Sequence, residues 1–427
     1  VASKKLLQIE LNEFDPAFLK DQAEKLNLEN ISKFLSFKHT HTLTNDEVEH
    51  QGLDPWVQWV NVHTGMPSDM HGIKRLGDTV NQQTPQIWET LAKSGKRWAV
   101  WGVMNAPMGD KVGATVFMPD PWSFDERAYP ESLNFLLSLP RYMARNYLET
   151  DKVEFAKRFM DFVRYYAPPS HWPTLMKFST EVVKSTFSVG MTLHSLTTLL
   201  DYLGTLEFLR YRRRNPVDFS VIFLNHIAHL QHQFWNKNGE LHPEMKFGLE
   251  INNLIMGLLL DSREEDEAVI ILNGLKQENV QGQGVCVYRQ INPERTFKTL
   301  AATDKVSIEQ CMTNDAHLKF DSENEALKAK NKLKNIRVGS KPLFFVEEIS
   351  KKHIFVQISL EDKIEPNEQI LVGNQEYSFY DLFDLVCERT GAHVPTGDVF
   401  ASGIDIPDSI YNHEIYQGAL DYFNVSA

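Results

Sequence analysis

The sequence has no run of apolar residues approaching the roughly 18 that a membrane-spanning helix requires. Its longest, such as Val221–Leu224 and Ile255–Leu260, suit a protein core. Cysteine is scarce: Cys286, Cys311 and Cys387 lie far apart with no CxxC pair, which excludes a disulfide framework and a zinc–thiolate site. Positive charge is in deficit, with 44 Lys and Arg against 57 Asp and Glu and a formal net charge of −13. A surface of that sign repels phosphate backbones at long range, so nucleic acid is not expected as a partner. The N-terminal residues lack a basic–apolar–small leader pattern, and a cytoplasmic location is the default expectation. No internal repeat or low-complexity tract is visible.

What is present has an ordinary globular composition, 42% hydrophobic and 24% charged over 427 residues. At roughly 150 residues per domain, that length allows two or three domains or one large α/β domain with insertions. Lys5–Leu11 reads as a buried first strand leading to a helical stretch through Leu35. Ile87–Ser94 reads as helix and Arg97–Val103 as strand, while the two prolines of Phe117–Ser123 predict a loop. From Glu126 to Arg214 apolar residues recur every three to four positions, which predicts a helical insertion over 126–215. Asp218–Leu224, Pro243–Leu260 and Ala268–Leu272 then read as strand, helix and strand, the crossover unit of a parallel sheet. A small α/β subdomain is expected over 293–375, with a helix near Asn324–Leu333 and strands at Pro342–Glu347 and His353–Leu360. Tyr377–Thr390 is expected as helix and Val399–Ser402 as the last strand. The fold class expected is therefore α/β, a mostly parallel central sheet with helices on both faces, built from 1–125, 216–292 and 376–427.

In such sheets ligands bind where loops converge at the carboxyl ends of strands. Three polar groups follow strands: Asn12-Glu13, the run Asn225 to His232, and Asn273-Gly274. His226, His229 and His232 recur every three residues, and neutral imidazoles are common ligands for divalent ions. A fourth group, Gly391-Ala392-His393, precedes the last strand. Trp56, Trp59, Trp98, Trp101 and Trp122 bring aromatic surface to the same region, more in keeping with core packing than with a sugar or base platform.

These residues carry a family resemblance. The order is His63-Thr64-Gly65-x-Pro67-x-x-x-His71-Gly72, then Asn225-x-x-x-His229 after a strand, Asn273-Gly274 after another, and Thr390-Gly391-Ala392-His393 near the end. It resembles the alkaline phosphatase superfamily, in particular its type I phosphodiesterase/nucleotide pyrophosphatase and sulfatase-like branches. The resemblance implies that Asn12 stands at the family's first aspartate, Asn225 and His229 at its Asp-x-x-x-His ligand pair, and His393 at its late ligand histidine. It also implies departures. The register of the family's nucleophile falls on Pro55, with Asp54, Gln58 and Thr64 nearest, and amides replace aspartates at 12, 225 and 273.

The residues and the resemblance together predict a phosphoric or sulfuric ester hydrolase that depends on one divalent ion (Zn, Mn or Mg) and uses water as nucleophile on a small-molecule or glycan ester. Asn225, His229 and His393 are the expected metal ligands. The catalytic candidates are His226 or His232 as general base and Glu13 beside the ion. Asn12, Gln58, Asn273 and Gln277 are the expected substrate contacts. The alternatives are a non-catalytic ligand-binding relative with a degenerate metal site, and a phosphoryl or sugar-phosphate transferase.

Overall fold

The computed structural model describes residues 4–46, 53–78, 82–146, 148, 150–237, 239–301, 303–311, 314–372 and 375–426. The chain forms two compact units, one of Val1–Pro140, Arg158–Asn279 and Thr390–Ala427, the other of Arg141–Lys157 and Val280–Arg389.

The first unit is built on eight strands of one sheet: β1 (Lys5–Leu11), β2 (Lys38–Leu43), β3 (Trp98–Trp101), β4 (Ala114–Met118), β5 (Phe219–Leu224), β6 (Glu267–Leu272), and, beyond a short strand β7 (Lys276–Asn279) and its partner β8 (Gly391–Val394), β9 (Thr396–Ser402) and β10 (Ser409–Tyr411). Their order across the sheet is β10-β2-β9-β6-β1-β5-β3-β4. The five from β6 to β4 are mutually parallel. Only β9 runs against its neighbours β6 and β2, while β10 lies parallel to β2. The fold is an α/β sheet, mostly parallel, with helices on both faces. Period-two alternation produces the two faces. Leu7, Ile9, Leu11, Ile222, Leu224, Val269 and Ile271 pack with helices Pro16–Leu26, Glu29–Leu35, Leu193–Arg214 and Pro243–Asp261. Leu6, Val221, Phe223, Ile270 and Leu272 meet helices Pro55–Thr64, Ile87–Lys93 and Glu414–Phe423. A strand buried on both faces reads in sequence as a continuous apolar run, as Val221–Leu224 and Ala268–Leu272 do.

The stretch read as helical insertion contains four long helices, Leu133–Asn146, Lys152–Tyr166, Trp172–Ser188 and Leu193–Arg214. The loop expected at Phe117–Ser123 starts later, because Phe117 and Met118 complete β4 and irregular backbone begins at Pro119.

The second unit holds an antiparallel sheet in which Val306–Gln310, Asp315–Phe320, His353–Ile358 and Phe344–Ser350 are successive neighbours. Helices Pro293–Ala301 and Glu323–Lys334 share its core. Tyr377–Thr390 is not a helix. It forms the end of strand Gln375–Ser378, a single turn Phe379–Leu382 and strand Phe383–Glu388, which pairs with Cys286–Gln290. The apolar spacing of Phe379, Leu382 and Phe383 imitates a helical face, and all three are buried in this unit's core. Pairing with a distant strand overrides the local pattern. Among the described residues, no helix is long and apolar enough to cross a membrane.

Candidate metal centre

The carboxyl ends of β1, β5 and β6 lie side by side, and the residue following each ends up at one edge of the sheet. Glu13 turns away from β1 in the left-handed region, φ 56°. A non-glycine residue pays on the order of 1 kcal/mol there. Three backbone bonds fix it: Glu13 N–H donates to Asn273 O at 3.0 Å, and Gln277 N–H and the Gln231 amide donate to Glu13 O at 3.1 and 3.4 Å. The buried carboxylate meets His232 and His393, each with Nε2 3.0 Å from Oε2. Gln277, on β7, donates its Nε2 to the same oxygen at 2.5 Å. Gly391 is required by that approach, since a Cβ there would fall 2.0 Å from Gln277 Oε1 and 2.8 Å from Gln231 O.

The second nitrogen of each ring decides what this group can do. His232 Nδ1 lies 3.2 Å from Gly391 O, and His393 Nδ1 lies 3.0 Å from Leu53 O. A carbonyl oxygen only accepts, so each Nδ1 carries the proton. In its neutral form, each imidazole therefore points an Nε2 lone pair at a carboxylate that is 2% exposed. Two lone pairs and an anion repel at one buried point unless positive charge stands among them, either a proton on each ring or a metal ion. Backbone carbonyls that fix the tautomer are also the usual second partners of metal-ligating histidines. The ligand atoms of Glu13, His232 and His393 all lie within 4.8 Å of one another. Burial raises the pKa of Glu13, but the imidazoles of His393 and His232 outweigh it and hold the carboxyl well below its ordinary 4.5.

His229, expected as a ligand with His393, faces elsewhere: its Nε2 lies 3.1 Å from His194 Nδ1. His232, three residues on, takes the place facing His393. Burial, then the neighbouring His194 and His232, push the His229 pKa down to about 3 against a small opposing effect of Glu13. The sign follows. Between about 6.5, its ordinary value, and about 3, the unfolded chain takes up a proton that the folded one refuses. This contribution to stability is complete above about 6.5 and drains away as pH falls. Wild type is expected to lose roughly 2 kcal/mol more than His229→Gln between about pH 6.5 and 4.5, at ~1.4 kcal/mol per tenfold change in proton affinity. Urea unfolding of both proteins across that window measures it.

Of the remaining expected site residues, Asn12 and Gln277 hold the carboxylate directly. Asn12 donates its amide to Glu13 Oε1 and to Asn225 Oδ1, both at 2.8 Å, and accepts the Trp59 indole N–H at 2.7 Å. Asn273 donates to Phe14 O at 2.8 Å and accepts the backbone N–H of Asp398 at 2.8 Å. Gln277 also donates to Ala228 O at 3.1 Å. These three amides, expected as substrate contacts, are buried and engaged with protein atoms. Gln58 is buried in a different network, with Asp46, Asn61 and Asn412. Asn225, expected as a ligand, gives its Oδ1 to Asn12. His226, expected as a base, is 1% exposed and held through Nδ1 by Asp201 at 2.8 Å.

Sequence reasoning missed His194 and Asp201. Asp201 accepts the backbone N–H groups of Asn225 and His226 at 2.7 and 2.8 Å as well as the His226 ring. The two stand seven residues, about two helical turns, apart on Leu193–Arg214, a spacing visible in the sequence within a segment read only as insertion. Asp54, noted only as near the nucleophile register, precedes helix Pro55–Thr64 with its Oδ1 3.8 Å from His393 Nδ1, and its side chain is 26% exposed.

No protein-family model and no curated protein matches the sequence. Solved structures do match. Murine ectonucleotide pyrophosphatase/phosphodiesterase 5 in complex with AMP aligns at TM-score 0.46 and 11% identity, covering 99% of this chain and 96% of that one. Phosphonoacetate hydrolase from Sinorhizobium meliloti 1021 in complex with phosphonoacetate aligns at TM-score 0.43 and 12% identity with the same coverage. The human ectonucleotide pyrophosphatase/phosphodiesterase 5 aligns at 0.43 and 10%, again over 99% and 96%.

Proposed function

We propose that the chain is a metal-dependent phosphoric ester hydrolase of the alkaline phosphatase superfamily, with a ligand set of Glu13, His232 and His393. One observation carries this reading: both imidazoles have their Nδ1 protons tied to backbone carbonyls and their Nε2 atoms directed at one buried carboxylate oxygen. The donors fit a divalent ion. Two neutral nitrogens and one carboxylate oxygen form the His₂Glu set of hydrolytic zinc sites, which leaves a position open for substrate and water. Of Zn, Mn and Mg, the nitrogen-rich set favours Zn. The motif order in the sequence supports the superfamily, since Asn12-Glu13, Asn225 to His232 and Asn273 follow three neighbouring strands of one sheet and His393 faces Glu13 from β8.

When bound, such an ion supplies Lewis acidity toward an ester oxygen and makes water easier to deprotonate. The protein does the rest. Glu13 contributes the negative charge that a single cation needs. Asn12 and Gln277 hold its carboxylate from two sides, and losing either is expected to weaken Zn binding about 10-fold. Asp54, whose Oδ1 stands 3.8 Å from His393 Nδ1, places negative charge behind that imidazole and strengthens it as a ligand. His226, deeply buried, and His229, half-buried and turned to His194, keep their neighbours in place rather than meet substrate.

The engagement of Asn12, Asn225 and Asn273 with protein atoms favours a second reading, a ligand-binding relative without turnover. Metal analysis of purified protein, with assays on aryl phosphate mono- and diesters, a phosphonate and a sulfate ester, separates the two. The first reading expects about one Zn per chain and hydrolysis of a phosphate ester that disappears on chelation and in His393→Ala. Stoichiometric metal with no turnover on the whole panel would favour the second.

A further inference from the structure

A second histidine–carboxylate group lies on β2 and β9. The strand period puts His39 and His41 on one face of β2, and the antiparallel register sets His41 opposite Asp398 and His39 opposite Phe400. His39 Nε2 and His41 Nδ1 stand 2.7 and 3.0 Å from the same oxygen, Asp398 Oδ1. The His39 ring is stacked on Phe400, centroids 4.6 Å apart and planes within 8°, and meets the His41 ring edge-on at 4.5 Å. Packing thus keeps both rings beside Asp398.

Asp398 makes the arrangement more than a surface cluster. Its side chain is 2% exposed, and its Oδ2 is buried without a hydrogen-bond partner. Among the described residues, its ion-pair partners are the two imidazoles and no lysine or arginine. A buried carboxylate with one oxygen unsatisfied is a costly arrangement that bound positive charge relieves. The backbone N–H of Asp398 is anchored to Asn273 Oδ1, so the carboxylate is preset at the strand's start. The histidines are 37% and 66% exposed on their side chains, which leaves an ion a direct path from water.

We propose that His39, His41 and Asp398 form a second divalent-metal site, selective for zinc- or copper-class ions and separate from the Glu13 group. The three ligand atoms already lie within 4.8 Å of one another. Tetrahedral coordination at Zn–N near ~2.0–2.1 Å asks for donors roughly 3.4 Å apart, a rearrangement that rotation of the exposed imidazoles provides. Two imidazoles and a carboxylate suit Cu²⁺ and Zn²⁺ and discriminate against Mg²⁺ and Ca²⁺.

The test compares the full-length wild type with His39→Ala/His41→Ala after equilibration against free Zn²⁺ and dialysis, counting Zn per chain. One fewer Zn in the double variant is expected. Equal metal content overturns the proposal. The comparison is a difference, so its result does not depend on whether the Glu13 group also fills. Asp398→Asn, in which the buried carboxylate becomes an amide, gives a second reading. It should weaken Co²⁺ binding at least 10-fold, followed by the visible absorption of the tetrahedral ion, and an unchanged Co²⁺ spectrum and affinity would overturn the proposal equally.

Discussion

Glu13→Gln is expected to be less stable than wild type in metal-free buffer, and to lose hydrolysis by about 10³-fold together with its metal. The substitution keeps shape and removes one charge. In the free protein the new NH₂ faces a donor whichever way the amide turns, Asn12 Nδ2 or Gln277 Nε2, so a hydrogen bond is lost, and with it the attraction that holds the carboxyl below its ordinary pKa. With metal, the loss is larger. The ion loses its only anionic ligand in the group of Glu13, His232 and His393, and two neutral imidazoles bind a hydrolytic ion weakly. A 10³-fold loss in kcat/KM corresponds to about 4 kcal/mol, the scale of Lewis-acid stabilisation that a bound ion supplies. Thermal unfolding with and without chelator, metal content and kcat/KM read the three arms separately. A variant that is active and still loaded would remove Glu13 from the site. One that fails to fold would show that the carboxylate is needed to neutralise doubly protonated histidines.

Asp54→Asn is expected to weaken Zn binding about 10-fold and to lower kcat/KM in step when Zn²⁺ is limiting. A carboxylate beside the Nδ1 of a ligand histidine makes that imidazole a stronger donor, and losing such a partner costs roughly 10- to 100-fold in metal affinity or activity. Asparagine caps a helix about as well as aspartate, so helix Pro55–Thr64 should start unchanged and stability should move by less than ~0.5 kcal/mol. An Asp54→Asn protein with wild-type Zn affinity would remove Asp54 from the site.

The fold was legible where a strand is buried on both sides. Val221–Leu224 and Ala268–Leu272 announce themselves as unbroken apolar runs, and the helix Pro243–Asp261 between them follows from the crossover rule. Phe383–Glu388 was not legible, because its strand character comes from a partner about a hundred residues away and its local spacing is helical. The site was legible in outline. Each of the four polar groups found after or before a strand reaches the edge where Glu13 lies, since position relative to a strand end survives folding. Which histidine faces which was not legible: His226, His229 and His232 share a three-residue rhythm, and only the backbone carbonyl of Gly391 and the side chains of His194 and Asp201 sort them. Asn12, Asn273 and Gln277 read from sequence as substrate contacts, and nothing local shows that Asn12 and Gln277 hold a buried carboxylate while Asn273 ties down Phe14 and Asp398.

The most direct measurement is anomalous diffraction at the zinc edge from crystals of the full-length protein equilibrated with Zn²⁺. The account predicts a peak bounded by Glu13 Oε2, His232 Nε2 and His393 Nε2. A loaded crystal with no density there, or with its ion between His194 and His229 instead, would contradict it.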